Sequence, residues 1–251
     1  MDLFDLKGQR AIVTGASRGL GKGMAEGLLR AGCRVVLVGS SEKTEEAAAA
    51  FRAEGLDAYA VQGNLGDRGD LQDIFEKAMA WLGGIDILVN SAGVQRRHPP
   101  EEFPAEDWDW VIAVNLDAVF FLSQLCVRPM LAQGHGKIIN IASMCSWFGG
   151  LTIPAYTASK GAIAQLTKSM ASDLGGRGIQ VNAIAPGYMA TDMNERLLEN
   201  PERLRQISER IPAGRWGTPE DMIGPVLFLA SHASDYLNGA VIPVDGGYLT
   251  R

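Results

Sequence analysis

The sequence has few residues of the kinds that hold metals or form disulfide frameworks. Among its 251 residues there are three cysteines, Cys33, Cys126 and Cys145, and three histidines. The cysteines are odd in number, widely spaced and set in or beside apolar segments, as is typical of reduced packing residues. The histidines show no metal-ligand spacing. We therefore expect no disulfide framework and no bound metal.

Clustered positive charge is also lacking. The chain has 23 Lys and Arg against 29 Asp and Glu, which gives a net charge of −6. A nucleic-acid partner needs clustered cations for its phosphates, so this pattern argues against one. The apolar runs are too short and too interrupted to cross a bilayer, and residues 1–8 show no basic stretch followed by an apolar core. We expect no membrane span and a cytoplasmic location.

What the sequence does contain is a regular alternation of short apolar runs and helical patterns. The continuous apolar runs indicate a parallel sheet buried on both faces, because crossover connections place helices above and below it. We predict one domain over residues 1–251, an α/β fold with a doubly wound parallel sheet in three layers. The predicted strands are residues 10–14, 34–38, 58–61, 85–90, 137–142, 180–185 and 240–244, and the predicted helices are residues 22–31, 42–54, 71–82, 107–133, 155–174 and 219–231.

One segment interrupts this alternation. Residues 188–211 carry apolar positions at helical spacing but few strand signals. We interpret them as a small helical lid inserted before the last helix. Lids of this kind often hold a substrate.

The first predicted strand ends in a glycine-rich turn, residues 14–21, with the spacing G-x-x-x-G-x-G. Ligands of an open parallel sheet bind beyond the carboxyl ends of its strands. Glycines there let backbone amides approach a pyrophosphate, and the following helix directs its positive N-terminal end at it. Such a turn alone fits a simple tight turn as well, but its place after the first strand of a βαβ unit favours a nucleotide site.

Four polar residues form a candidate catalytic set. Tyr156 and Lys160 are four residues apart on a predicted helix, so their side chains share one face. A free tyrosine has a pKa of about 10, and Lys160 is a candidate for the cation that stabilises its phenolate. Ser143 follows a strand at the same edge as the glycine turn, where its hydroxyl could hold a substrate oxygen, and Asn115 lies inside the long helix. Each residue alone is more often structural than catalytic, but the four together indicate catalysis.

The order and spacing of these segments resemble the short-chain dehydrogenase/reductase family over essentially the whole chain. The resemblance implies a Rossmann-type fold and an NAD(P)-dependent oxidoreductase acting on CH–OH groups. It further implies that Tyr156 is the general acid/base, that Lys160 lowers its pKa and binds the nicotinamide ribose, and that Ser143 polarises the carbonyl. Asn115 would anchor a proton-relay water. The matching segments are residues 14–21, Asn90-Ser91-Ala92-Gly93, Asn115, Ser143, Tyr156-Thr157-Ala158-Ser159-Lys160 and Pro186-Gly187.

The resemblance also implies a set of cofactor contacts, with Thr191 on the nicotinamide carboxamide. Two departures from the family pattern are visible: Ser91 stands where a second asparagine is usual, and Asn64 replaces an aspartate, which would weaken contacts to adenine. Neither change removes a catalytic group. The implied cofactor residues are Gly15, Ser17, Arg18, Gly19, Leu20, Gly21, Ser40, Asn64, Leu65, Asn90, Ala92, Gly93, Tyr156, Lys160, Pro186, Gly187, Met189 and Thr191.

The end of the second strand bears on the choice of cofactor. NAD sites usually carry an acidic residue there for the ribose 2′-hydroxyl, whereas this chain has Gly39, Ser40 and Ser41. Arg18 in the glycine turn could pair with a 2′-phosphate, although a solvated arginine in an exposed loop is the alternative. We expect a preference for NADP(H), with NAD(H) as the alternative.

Several stretches resemble the sugar-acid branch of the family, whose substrates include 2-deoxygluconate, 2-dehydro-3-deoxygluconate and gluconate. This resemblance implies a small sugar-acid substrate and a homotetramer. A sugar acid needs a cation for its carboxylate, and Arg96 and Arg97 follow the strand-end turn where a substrate should lie. Both could instead be solvated or pair with Glu101 and Glu102. The candidate substrate residues are Gln95, Arg96, Arg97, Met144, Trp147 and Tyr188.

Two alternatives to a sugar-acid enzyme stay open. One is a 3-oxoacyl-[acyl-carrier-protein] reductase, but carrier protein is acidic and we expect its reductases to present basic residues at the end of the long helix and on the catalytic helix. Here residues 130–137 and 169–173 are almost without positive charge. The other is a redox-sensing NAD(P)-binding regulator without turnover, which would have no need of the full catalytic set.

Overall fold

A single parallel sheet of seven strands forms the centre of the protein, for which we describe residues 3–250 in a computed structural model. The spatial order of the strands is β3-β2-β1-β4-β5-β6-β7, so the order reverses between β1 and β4, as in Rossmann-type folds. This confirms the predicted fold class. The strands are β1 Arg10–Thr14, β2 Arg34–Gly39, β3 Ala58–Gln62, β4 Ile87–Asn90, β5 Gly136–Ile141, β6 Ile179–Pro186 and β7 Val241–Val244.

Helices cover both faces of the sheet and complete the three layers. On one face, Ala11 and Val13 of β1 pack with α1, α2 and α9, and on the other Ile12 packs with α3, α5 and α6. Both faces of each central strand are therefore apolar, which explains why their sequences are continuous rather than alternating. The helices are α1 Gly19–Arg30, α2 Lys43–Ala53, α3 Arg68–Leu82, α4 Ala105–Ile112, α5 Ala118–Gln133, α6 Pro154–Leu174, α7 Glu195–Leu198, α8 Pro201–Ser208 and α9 Ile223–Ala230.

The long predicted helix, residues 107–133, is divided into α4 and α5 by a π-helical turn, Ala113–Asp117. The prediction of one regular helix was wrong at this turn, because a π turn inserts one extra residue and the mostly apolar sequence around it does not show where the helical phase shifts. By length and composition alone, the stretch Ala105–Gln133 could cross a membrane. However, Leu122 and Cys126 are buried against the sheet, as in the core helix of a globular protein.

The predicted lid is helical. Between β6 and α9, a short 3₁₀ turn, Asp192–Asn194, is followed by α7 and α8. The lid packs on a small apolar cluster of its own, formed by Met144, Ile207, Ile211, Trp216 and Tyr248. The lid is thus held by residues from three separate parts of the chain.

At the amino edge of the sheet, the buried carboxylate of Asp86 ties β1 to β4. Arg10 Nη2 donates to Oδ1 at 2.7 Å, and Arg10 Nε and main-chain N–H donate to Oδ2 at 2.8 and 2.9 Å. His135 Nε2 lies 3.0 Å from Oδ1. Burial alone would raise the pKa of Asp86, but the bonds and charge of Arg10, with the bond to His135, hold that pKa below its ordinary value.

We predict that Asp86→Asn lowers the free energy of unfolding by about 2–3 kcal/mol, because it leaves Arg10 without a carboxylate in a mostly buried setting. Since the folded-state pKa is lowered, this stabilisation is complete above the unfolded pKa of about 4 and is lost as the pH falls through the folded value. Denaturant unfolding between pH 2 and 7 measures both effects.

Asp57→Asn is the matched control, because Asp57 forms an exposed ion pair with Arg34 at 3.1 Å. Its loss should change stability by less than about 1 kcal/mol. Equal destabilisation by the two variants would contradict a structural role for Asp86.

Candidate active site

The glycine turn after β1 and the turn after β4 are in direct contact. Thr14 Oγ1 accepts hydrogen bonds from the main-chain N–H groups of Ser91 and Ala92, each at 3.0 Å. Gly15 has φ +64°, and a Cβ there would lie 2.7 Å from the Ala92 Cα; a Cβ on Gly21 would lie 2.3 Å from the Gly15 carbonyl oxygen. Only glycine fits these positions. The glycines thus let the turn fold tightly into a cradle at the N-terminus of α1, whose main-chain N–H groups fit the pyrophosphate of a dinucleotide.

The helix α1 begins at Gly19, three residues earlier than predicted. The expected end of the glycine turn is therefore already helical, and its close packing against Gly15 is possible because Gly21 has no side chain. This brings the helix N-terminus nearer to the cradle than the sequence prediction placed it.

The predicted cofactor residues follow the carboxyl ends of β1, β2, β3, β4 and β6 or lie in the first turns of α6. They therefore share one edge of the sheet. Thr191, which follows β6, lies close to the glycine turn after β1, since a Cβ on Gly19 would be 3.8 Å from the Thr191 side chain. Their individual roles remain predictions.

Asn90 and Asn64 are partly engaged within the protein. The buried Asn90 Nδ2 donates to Asn140 Oδ1 at 2.9 Å and to Ser123 Oγ at 3.0 Å, so both amide hydrogens are used inside the protein. Asn64 Oδ1 accepts from the Gly66 N–H at 3.0 Å in the turn before α3. Contacts from these two residues to a cofactor would have to use their remaining atoms.

The first turns of α6 place Tyr156 and Lys160 beside Ser143. Lys160 Nζ lies 5.6 Å from the centroid of the Tyr156 ring and donates to the Ile141 carbonyl oxygen at 2.6 Å. Ser143 is the N-cap of the turn Met144–Ser146, and its Oγ accepts from the Cys145 N–H at 3.1 Å. The predicted set is therefore brought together at one point of the edge.

The charge states of this pair differ from the expectation. Burial of the Tyr156 hydroxyl raises its pKa to about 12, against the opposing effect of its hydrogen bond with Ser143. Burial also lowers the pKa of Lys160 to about 8. Desolvation therefore outweighs any lowering of the Tyr156 pKa by Lys160, whose role in the reaction stays a prediction. Near neutral pH, Tyr156 is a neutral phenol with a proton to donate.

Asn115 lies in the π turn, fully buried, and links three elements. Its Oδ1 accepts from the Val94 N–H at 2.8 Å, and its Nδ2 donates to the Val94 carbonyl at 2.9 Å and to Ser159 Oγ at 3.2 Å. Ser159 Oγ donates in turn to the Tyr156 carbonyl at 2.7 Å. Since its amide hydrogens are used in these bonds, Asn115 positions the catalytic helix, and a relay water would need another atom of the π turn.

The structure separates the two candidate arginines. Arg96 Nε donates to Asp107 Oδ1 at 3.0 Å, and its guanidinium lies 4.0 Å from the centroid of the Trp110 ring. The suggested partners of Arg96, Glu101 and Glu102, are thus replaced by Asp107.

Arg97, by contrast, lies close enough to the catalytic turn for its charge to act on Cys145. The pKa of Cys145 is raised by burial, and the hydrogen bond to Ser143 and the positive charges of Lys160 and Arg97 act in the opposite direction. When the side-chain amide of Gln95 is oriented with its oxygen toward Arg97, this oxygen accepts a hydrogen bond from Arg97 Nη2 at 2.9 Å.

Cys145 is a site residue that the sequence did not single out, because its only signal is its place two residues after Ser143.

The other candidate substrate residues fall in two places. Met144 is buried under the lid, and Tyr188 packs against Trp216 and Tyr248 with ring centroids 5.3 and 5.2 Å away. Trp147 instead lines a groove of about 280 Å³, whose other walls are Ser146, Ala164, Gln165, Lys168 and Val241. None of those residues is a predicted catalytic residue, so Trp147 faces away from the catalytic set.

The expectation that the ends of the long and catalytic helices border the site is wrong. Gln133, the last residue of α5, and His135, two residues beyond it, contact Asp86 at the amino edge of the sheet. The end of α6 likewise leads into the first residue of β6, at that same edge. Helices that connect parallel strands run antiparallel to them and so end at the edge opposite the site. The charge of these segments consequently does not distinguish the two substrate classes.

Comparison with known proteins places the chain among dehydrogenases. A family profile described as enoyl-(acyl carrier protein) reductase matches residues 15–249. The chain is 47% identical to the 2-dehydro-3-deoxy-D-gluconate 5-dehydrogenase of Dickeya dadantii, covering 100% of this chain and 99% of the relative. It is also 47% identical to the gluconate 5-dehydrogenase of Gluconobacter oxydans, covering 98% and 96%.

Solved structures agree. A gluconate 5-dehydrogenase from Burkholderia cenocepacia, crystallised with NADP and tartrate, is 42% identical with a TM-score of 0.96, covering 100% of this chain and 98% of that one. A protein from Beutenbergia cavernae with NADP bound at low occupancy is 44% identical with a TM-score of 0.96, covering 99% and 100%. The protein is therefore a member of the short-chain dehydrogenase/reductase family, an NAD(P)-dependent oxidoreductase acting on CH–OH groups.

Proposed function

We propose that this enzyme interconverts a secondary alcohol and a ketone on a small sugar acid, with NADP(H) as the preferred cofactor. The observation that carries the proposal is the 47% identity to sugar-acid dehydrogenases over nearly the whole chain, and Arg97, which lies near the turn holding Ser143 and Cys145, is the candidate partner of the carboxylate. A carboxylate at one end of the substrate would pair with Arg97 while a carbon further along reaches Tyr156. The full-length similarity to two sugar-acid dehydrogenases supports this substrate class.

In the proposed reduction, the bound cofactor supplies a hydride to the carbonyl carbon. Tyr156 donates its phenolic proton to the carbonyl oxygen, and Ser143 donates a hydrogen bond to the same oxygen as negative charge develops on it. Asn115 and Ser159 hold the start of the catalytic helix in place through the Tyr156 carbonyl. In the oxidation, Tyr156 would instead accept the proton from the alcohol.

The proposed preference for NADP(H) rests on the charges of two segments beside the dinucleotide cradle, the end of β2 and the glycine turn. The end of β2 and the turn after it contain Gly39, Ser40 and Ser41, none of which carries a carboxylate that would repel a 2′-phosphate. Arg18, at the start of α1, supplies a cation on the neighbouring turn. The presence of NADP in two similar structures supports this choice.

We also propose a homotetramer that works in the cytoplasm. The outer side of α4 and α5 exposes Trp108 at 40% and Phe120 at 37%, which gives partner copies an apolar area to cover. The three cysteines are free, which suits a reducing compartment. The family resemblance supports the assembly.

Tyr156→Phe should lower kcat by about 100- to 10,000-fold, because it removes the proton donor and little else. The dissociation constant for the dinucleotide should stay close to the wild-type value, as measured by fluorescence titration. Tyr236→Phe, on a fully exposed tyrosine, is the matched control and should leave both quantities unchanged. Near-normal turnover in Tyr156→Phe would overturn the catalytic assignment.

The two reaction directions should depend oppositely on pH. Because the pKa of Tyr156 is raised to about 12, the residue is protonated and ready for ketone reduction at neutral pH, whereas alcohol oxidation needs its phenolate. We expect kcat/KM for oxidation to rise steadily between pH 6 and 10, and kcat/KM for reduction to show no such rise. Parallel profiles in both directions would contradict this assignment.

Arg97→Ala should raise KM for a sugar acid by about 10- to 100-fold, the effect expected for a lost charge-assisted hydrogen bond, with little change for an uncharged ketone. Arg96→Ala is the matched control, since Arg96 is engaged with Asp107 and Trp110. Steady-state kinetics on both substrates measures the difference. If Arg97→Ala weakens both substrates equally, or Arg96→Ala has the larger selective effect, the carboxylate is bound elsewhere.

A further inference from the structure

An ion pair joins the glycine turn to the start of the lid. Arg18 Nη1 donates to Asp192 Oδ2 at 2.7 Å, across 174 positions of sequence. Both side chains are 65% exposed, so solvent and a bound ligand can reach them. The neighbouring residues Gly19 and Thr191 are in contact as well, since a Cβ on Gly19 would lie 3.8 Å from the Thr191 side chain. The glycine turn and the start of the lid therefore lie side by side at the dinucleotide cradle, and the ion pair joins them there.

The place of this pair matters because Arg18 is also the cation that a 2′-phosphate would use. Arg18 is the residue before α1, at the N-terminal end of the helix that faces the cradle. The exposed residues after β2, Ser40 and Ser41, are uncharged. The carboxylate of Asp192, in the lid, is therefore the negative charge that the structure places against Arg18.

We propose that Asp192 is a cofactor-specificity residue, which competes with the 2′-phosphate of NADP(H) for Arg18. This inference rests on the proposed use of NADP(H) through Arg18. Asp192 keeps the preference for NADP(H) over NAD(H) smaller than Arg18 alone would make it. NAD(H), which carries a hydroxyl at the 2′ position, leaves the Arg18–Asp192 pair intact.

The size of the effect follows from exposure. An ion pair between solvated side chains is weak, and a phosphate dianion attracts the guanidinium more strongly than a carboxylate does. Asp192 therefore weakens NADP(H) binding without preventing it. Removing its charge should tighten NADPH binding by about two- to fivefold, the range that corresponds to an exposed ion pair.

The test compares dissociation constants of NADPH and NADH, measured by fluorescence titration without substrate, for the wild type and Asp192→Asn. We expect the variant to bind NADPH about two- to fivefold more tightly and NADH as the wild type does. Glu202→Gln is the matched control, an exposed carboxylate on α8 whose contact is with Gln206 at 3.1 Å. It removes the same charge from the lid and should change neither constant.

The same titrations in an Arg18→Ala background separate the possible results. There Asp192→Asn should have no effect on NADPH, because the cation for which the carboxylate competes is gone. The inference is overturned if Asp192→Asn leaves NADPH binding unchanged, tightens NADPH and NADH equally, or acts as strongly without Arg18.

Failure of the underlying cofactor proposal gives a different result. If the wild type binds NADH more tightly than NADPH and Arg18→Ala affects neither, the proposed preference for NADP(H) fails. If Arg18→Ala weakens NADPH alone and Asp192→Asn has no effect, the preference stands and only the role of Asp192 fails.

Discussion

The close approach of two turns, after β1 and after β4, is the constraint on which the rest of the site depends. Thr14 accepts hydrogen bonds from two main-chain N–H groups of the second turn, and the contact is possible because Gly15 has no side chain. The same second turn continues to Val94, which Asn115 binds through both its N–H and its carbonyl. The bonds of Thr14 and Asn115 to this turn thus fix the dinucleotide cradle relative to the π turn and, through Ser159, to the catalytic helix.

Burial gives this arrangement its chemical character. Tyr156 and Lys160 lie where desolvation disfavours charge, so the phenol keeps its proton and the pKa of the ammonium falls to about 8. A neutral acid beside Ser143 suits proton donation to a carbonyl oxygen. The cations proposed to bind the ends of the ligands are Arg97, near the catalytic turn, and Arg18, in the glycine turn. The proposed proton donor and the proposed ligand-binding cations are therefore different residues along the same edge of the sheet.

Much of the fold and of the catalytic set could be predicted from the sequence, because apolar strands, the glycine turn and the Tyr156–Lys160 spacing are local patterns. The π turn at Ala113–Asp117 could not, since the helix after it is apolar on most sides and so does not show the shift of phase. Nor could the separate environments of Arg96 and Arg97, because Asp107 and Trp110 approach only once α4 is packed. The partner of Lys160, the Ile141 carbonyl, is likewise set by tertiary packing. The sequence pattern places the end of the long helix near the active site, whereas Gln133 and His135 lie at the opposite, amino edge of the sheet.

The measurement that tests the central claim most directly is kcat/KM of the purified enzyme with NADPH and with NADH on a panel of ketones. The panel contains keto forms of gluconate and 2-deoxygluconate, an uncharged polyhydroxy ketone and a 3-oxoacyl thioester. The account predicts the highest kcat/KM for a sugar acid with NADPH. A higher kcat/KM for the 3-oxoacyl thioester than for every sugar acid would contradict it.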